Sequence, residues 1–256
     1  MTYTTQTPIA QLKKTAAELK LYGLLAHWDE LGHPLPDWVV QLLNWEEDER
    51  QKRGLQRRIR NAKIGSFKPL ADFDWNWPKQ LDQAAVLSLM NMGFMQQDKP
   101  VNPIFVGGNG IGKTTIAKNI AYQAAINGYS VMFITAAQML NDLAAIDSDS
   151  TLKRRLKYYA QPQLLVIDEL GYLSYSNRHA DLLFEIVNRR YEIKSTLVTT
   201  NRPFAEWNEV FPNAACVVSL VDRLIHHSEI ILFDGDSYRM KEAMEKKKQK
   251  TPRKKS

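Results

Sequence analysis

The chain has 256 residues, of which 44% are hydrophobic and 24% charged, the balance of a globular protein with room for one full α/β core and a small appendage. A single cysteine, Cys216, excludes an internal disulfide and suits a reducing compartment. The formal net charge is +6, but Lys241 to Ser256 alone hold eight Lys or Arg and two Glu, so residues 1–240 balance at zero. The basic pI therefore reflects a tail and not a field over the whole protein.

The first residues, Met1 to Pro8, lack the charged and apolar regions of a signal peptide, and no apolar run approaches a membrane span. The expectation is a cytoplasmic, bacterial-style protein with no membrane partner. From residue 9 to 31, Leu12, Ala16, Leu19, Leu24 and Trp28 recur at helical spacing. Gly32-His33-Pro34-Leu35-Pro36 breaks the pattern. Asp37 then sits at an N-cap position, before a helix that can run to about Ala62 with Gly54 as its weakest point. The second half of that helix is acidic at Glu46 to Glu49 and then basic at Arg50, Arg53, Arg57, Arg58 and Arg60. Residues 65–82, with Phe73, Trp75 and Trp77, read as a linker or a strap without periodicity, and 83–97 return to helix. Candidate strands follow at 103–107, 130–135, 163–168, 195–200 and 229–234, separated by helical patterns, which predicts βαβ units and a parallel sheet.

Gly107-Gly108-Asn109-Gly110-Ile111-Gly112-Lys113-Thr114 fits the phosphate-binding P-loop pattern. A short apolar strand precedes it, and a helix from Ile116 to Asn127 follows it, which is the context an anion site at a helix N-terminus requires. Gly107 to Thr115 are the expected nucleotide contacts. Lys113 would reach the β- and γ-phosphates of ATP, and Thr114 would ligate Mg²⁺.

Leu164-Leu165-Val166-Ile167-Asp168-Glu169 is a strand apolar enough for burial on both faces, ending in two acids. Asp168 is the expected Walker B carboxylate on Mg²⁺, and Glu169 the general base for an attacking water. Asn201, ending the next strand, has the position of a polar sensor of the γ-phosphate. Read alone, Arg223 suits a surface pair with Asp222 or Glu229. His226-His227 lack the spacing of a metal pair and Cys216 has no cysteine partner, so no structural zinc is expected. Tyr158, Tyr159, Tyr172 and Tyr175 read as packing or rim residues.

Together these stretches, with Arg190-Tyr191-Glu192, Phe204-Ala205-Glu206-Trp207, Asp222-Arg223-Leu224-Ile225-His226-His227 and Gly235-Asp236-Ser237-Tyr238-Arg239, resemble the AAA+ ATPases of the IstB type, which are transposition helpers and kin of the DnaC-type helicase loaders. The resemblance covers nearly the whole chain. It implies an α/β AAA+ core with a five-stranded parallel sheet in the order 5-1-4-3-2, preceded by a small all-helical domain. It also implies that the C-terminal lid carried by most AAA+ proteins is absent. It implies ATP hydrolysis in a homo-oligomer on double-stranded DNA that assists a partner transposase, with Arg223 as a finger acting on the neighbouring subunit. Loading of a replicative helicase is the alternative. The expected domains are 1–65, with the basic helix, 66–240 for the ATPase and 241–256 for a basic tail. Arg53, Arg57 and Arg58 are the candidate DNA contacts, and Arg239 is left without a catalytic role.

Overall fold

The computed structural model of the protein describes residues 3, 4, 6–172, 175–212 and 215–241, so the expected basic tail beyond Lys241 lies outside the described residues. The chain divides into two compact units, Met1–Arg57 and Arg58–Ser256.

The first unit holds α1 (Ile9–Glu18), α2 (Tyr22–Ala26), a 3-10 turn at Trp28–Leu31 and most of α3 (Asp37–Ala62). Leu12, Ala16, Trp28, Val39, Val40 and Leu43 form its core. The stripe over residues 9–31 is therefore not one helix. Lys20 adopts φ 62°, and the amides of Lys20 and Leu21 return to the carbonyls of Ala17 and Ala16. This double return closes α1 as a Schellman motif, normally built with glycine. A lysine in that position leaves no sequence signal. Gly54 stays inside α3, as expected.

The second unit begins with the end of α3. It continues with α4 (Gln83–Met90), β1 (Asn102–Gly107), α5 (Lys113–Ile126), β2 (Val131–Thr135), α6 (Ala136–Ala144), α7 (Asp149–Ala160) and β3 (Leu164–Leu170). Then come α8 (Asn177–Arg190), β4 (Ser195–Thr200), α9 (Trp207–Val210), α10 (Val217–His226) and β5 (Ser228–Phe233). The helix expected over 83–97 stops at Met90 because Met92 turns left-handed at φ 60°, and only a 3-10 turn follows at Gly93–Met95. Conversely, α5 starts at Lys113, earlier than the apolar pattern indicates, because the left-handed Gly112 caps it.

All four strand pairings are parallel, in the order β2-β3-β4-β1-β5, which is the expected 5-1-4-3-2 read from the other edge. Side chains of β3 alternate between two cores. Leu165 and Ile167 pack with α6, α8 and α10, whereas Leu164 and Val166 pack with α4 and α5. Burial of both faces explains the unbroken apolar run. At about 25 cal/mol per Å² of apolar surface, this two-sided burial is the main stabilising contribution of the sheet. No helical lid follows β5 among the described residues; Asp234 instead pairs with Gln80, and the chain turns back at Ser237 to Lys241. Among the described residues, no helix is long and apolar enough to cross a membrane.

Arg190, the last residue of α8, is fully buried. Its guanidinium donates to the carbonyls of Ala160, Pro162, Gln163 and Ser195 and to Thr196 Oγ1. Burial pushes its pKa down, to about 9, yet every partner is an acceptor, so the group stays charged at neutral pH. It ties the starts of β3 and β4 to the end of α7.

Candidate active site

A cavity of about 460 Å³ opens at the carboxyl edge of the sheet. The P-loop from Asn109 to Thr115 forms its floor, with Glu169, Tyr172, Thr199, Thr200 and Asn201 on one wall and Lys68, Asp72, Phe73, Asp74, Trp77, Tyr238 and Arg239 on the other. Its size suits a small-molecule ligand such as a nucleotide.

The loop between β1 and α5 needs its glycines. A Cβ on Gly112, at φ 103°, would stand 2.6 Å from the Phe73 ring, and one on Gly110 would stand 2.3 Å from Ser237 Oγ. The strap of residues 67–78 therefore presses on the P-loop. It is fixed there by Asn119 of α5, whose amide donates to the Lys68 carbonyl at 2.9 Å while its oxygen accepts from the Leu70 amide at 2.9 Å. The segment after β5 closes the same wall. Trp77 Nε1 donates to the Asp236 carbonyl at 2.7 Å, Lys241 pairs with Asp74 at 3.2 Å, and the Tyr238 amide donates to the Gly110 carbonyl at 2.9 Å.

Lys113 is buried at the start of α5, and its ammonium donates to the carbonyls of Gly107 and Gly108 at 2.6 and 2.5 Å. Burial pushes it down to about 8. The Asp168 and Glu169 carboxylates oppose that shift, and the Arg239 guanidinium adds to it. A cation held only by backbone carbonyls is well matched to an anionic ligand. Thr114 Oγ1 lies 3.1 Å from both oxygens of the buried Asp168, a hydroxyl and a carboxylate of the kind that hard cations take as ligands.

The register of β3 against β4 shifts between Ile167 and Leu170, and Glu169 within the shift adopts φ 61°. Glu169 is exposed within the irregularity while its neighbours stay buried, and it lines the cavity. Asn201 lies on the same wall, with Oδ1 buried and without a hydrogen-bond partner among the described residues. Such an orphan is costly unless a ligand or water fills it.

Arg223 lies on α10 and does not line the cavity of its own chain. It makes no ion pair with Asp222 or Glu229 among the described residues. Its Nη1 donates to Asn188 Oδ1 at 2.5 Å, and the guanidinium stacks over Phe184 at 4.7 Å and Tyr191 at 5.9 Å. Tyr191 in turn stacks on His226, and Glu192 bridges Lys99 and His227. Tyr191, directly after α8, thus packs against both Arg223 and His226. Glu192, His226 and His227 bring donor atoms within 4.8 Å of one another, but the Glu192 carboxylate is already held by the Lys99 ammonium at 2.7 Å. Of the basic-helix candidates, Arg53 pairs with Glu49 at 3.0 Å, and Arg58 donates through Nε to the Ala125 carbonyl at 2.9 Å. Tyr159 and Tyr175 are buried, whereas Tyr158 and Tyr172 are exposed.

The family model for "IstB-like ATP binding protein" matches residues 11–246. The chain belongs to that family. Among its relatives is a protein of insertion sequence IS5376 from Geobacillus stearothermophilus, named for ATP binding, which is 34% identical over 215 residues, 84% of this chain and 85% of that one. A similarly named protein of insertion sequence IS21 from Pseudomonas aeruginosa is 32% identical over 206 residues, 80% of this chain and 77% of that one. Among solved structures, DnaI superposes with a TM-score of 0.55 at 19% identity, covering 66% of this chain and 92% of that one. DnaA bound to AMPPCP and single-stranded DNA superposes with a TM-score of 0.53 at 22% identity, covering 71% and 54%. These likenesses show the AAA+ P-loop fold of this IstB-like chain.

Several site residues carry no sequence signal of their own. Thr199 is one strand residue among several, Lys68 and Trp77 sit in an aperiodic strap, and Arg239 reaches the cavity only because the chain folds back after β5. The aromatic content of residues 65–82 is the one hint that the sequence offers.

Proposed function

We propose that this IstB-like protein hydrolyses ATP to ADP and phosphate, and that it does so as a homo-oligomer on double-stranded DNA that assists a partner transposase. Residues 66–240 perform the ATPase work. The observation that carries the reading is the convergence on one cavity of the P-loop, Thr114 included, and Glu169, with the buried Asp168 bonded to Thr114. The names of the insertion-sequence relatives support the link to transposition over helicase loading.

In this reading Gly107 to Thr115 wrap the phosphates with backbone amides, and Lys113 leaves the Gly107 and Gly108 carbonyls to meet the β- and γ-oxygens. Thr114 and Asp168 would hold Mg²⁺, which when bound neutralises charge on the phosphates. Glu169 accepts the proton of the attacking water as a general base. Asn201 directs its orphaned oxygen or its amide at that water or the γ-phosphate. Arg223 reaches the γ-phosphate of the neighbouring subunit and stabilises the charge that develops in the transition state, so nucleotide binding and assembly become one event.

The test is a pair of variants. Lys113→Ala is expected to lose ATP binding, and Glu169→Gln to bind ATP normally while releasing no phosphate. Unimpaired turnover by Glu169→Gln removes the general base from the mechanism.

A further inference from the structure

The turn between α8 and β4 carries a glutamate where the backbone favours glycine. Tyr191 has φ −51° and ψ 127°, Glu192 follows at φ 55°, and the Ile193 amide returns to the Arg190 carbonyl at 3.0 Å. This is the geometry of a type II turn, whose third residue is normally Gly or Asn. A non-glycine residue at positive φ is strained, and such strain clusters where one side chain is needed in one place. The turn delivers the Glu192 carboxylate to a pair of histidines at the end of α10. His227 Nε2 lies 3.0 Å from Glu192 Oε1, and the rings of His226 and His227 are 4.1 Å apart, centre to centre. One donor atom from each of the three residues lies within 4.8 Å of the other two. His226 Nδ1 is bonded to the Tyr191 hydroxyl at 2.5 Å. With Nδ1 protonated and donating to the Tyr191 oxygen, Nε2 carries the free lone pair.

We infer that Glu192, His226 and His227 form a binding site for a divalent transition metal of the zinc class. Two imidazoles and one carboxylate, with a position left for water, are a donor set that Zn²⁺ accepts, whereas Mg²⁺ and Ca²⁺ take oxygen ligands. Ligands about 2.0–2.2 Å from a tetrahedral ion stand roughly 3.4 Å from one another, so side-chain shifts of about an ångström close the set. The adjacent histidines lack the helical spacing of a metal pair. Their third donor comes from a turn 35 residues earlier in the chain, brought there by the packing of α10 on α8. Hydrogen bonds from Lys99 and His227 hold the Glu192 carboxyl below its usual range, so it is ionised at neutral pH. Lys99 is the competitor for that carboxylate. Its ammonium sits 2.7 Å from Glu192 Oε1, but its side chain is 55% exposed, and such a pair is weak enough for a metal to displace. Both bonds fall on Oε1, which leaves Oε2 outside them. Bound metal ties the end of α10 to the turn after α8. Tyr191 of that turn lies under the Arg223 guanidinium at 5.9 Å and stacks on His226, so occupancy reaches the arginine through one ring.

The experiment titrates ZnCl₂ into the chelator-stripped full chain by calorimetry and repeats the titration with Co²⁺, whose visible absorption reports a tetrahedral site. Wild type should bind one ion per chain. His227→Gln and Glu192→Gln should each weaken zinc binding by about tenfold or more and abolish the cobalt band. Lys99→Gln removes the competing cation and should tighten zinc binding about two- to fivefold. Zinc should raise the thermal midpoint of wild type and leave that of the two ligand variants where it is. Far-UV circular dichroism checks that all three variants are folded. Wild-type zinc affinity in both ligand variants, or no cobalt band in wild type, overturns the site. Weaker zinc binding by Lys99→Gln overturns Glu192 as a ligand.

Discussion

The Thr199 hydroxyl donates to Asp168 Oδ1 at 2.5 Å while its oxygen accepts the Glu169 amide at 2.9 Å. One buried side chain on β4 thus fixes both acids at the end of β3, where the strand register is irregular. Thr199→Val keeps the shape and removes both bonds. A hydrogen bond to a charged group is worth about 1.5–3 kcal/mol, so kcat should fall about 10- to 100-fold. The Mg²⁺ concentration needed for half-maximal rate should rise, with ATP affinity in the absence of Mg²⁺ unchanged. Thr199→Ser should recover most of the rate. Steady-state kinetics across a Mg²⁺ series check both.

Lys113 gives the site a pH dependence. Burial lowers its folded pKa to about 8, and phosphate oxygens favour the protonated form. Binding ATP therefore takes up a proton above that pH. Affinity should be flat below about 8 and weaken by about tenfold per pH unit above it. Isothermal titration in two buffers of different ionisation enthalpy reads the proton uptake directly. The Lys113→Ala variant should show neither the affinity nor the uptake.

The sheet and the P-loop are legible in the sequence because each rests on a local pattern: apolar runs of strand length, glycines at fixed spacing, acids at a strand end. The features that are not legible have no local pattern. The breaks at Lys20 and Met92 place left-handed backbone on residues that rarely adopt it. The strap over Phe73 and Trp77 and the return of Arg239 to the cavity are set by contacts between distant segments. The lone reading of Arg223 as a surface ion-pair partner fails for a similar reason, since Asn188, Phe184 and Tyr191 come from α8 and its end.

Those three residues hold the Arg223 guanidinium in one orientation. Asn188→Ala and Phe184→Leu each remove one of the groups that orient it, and should each lower kcat about 3- to 10-fold with ATP affinity unchanged. Comparing turnover with equilibrium binding of an ATP analogue separates this effect from damage to the nucleotide site.

Arg190 predicts a purely structural effect. Arg190→Met leaves four buried or half-buried carbonyls without their shared donor, and stability should drop by about 3 kcal/mol or more. Arg190→Lys keeps the charge but loses the fork, and should fall between. Chemical denaturation of the two variants checks the order.

In the proposed reaction one hydrolytic site is shared between two subunits, with Glu169 and Arg223 supplied by different chains. The decisive experiment mixes Arg223→Ala with Glu169→Gln subunits and follows phosphate release. Each variant alone should be inactive. The mixture should recover a substantial fraction of wild-type turnover, because sites that pair an intact Glu169 with a neighbour's intact Arg223 are restored. A mixture as inactive as its components, or full activity of Arg223→Ala by itself, would contradict the shared site.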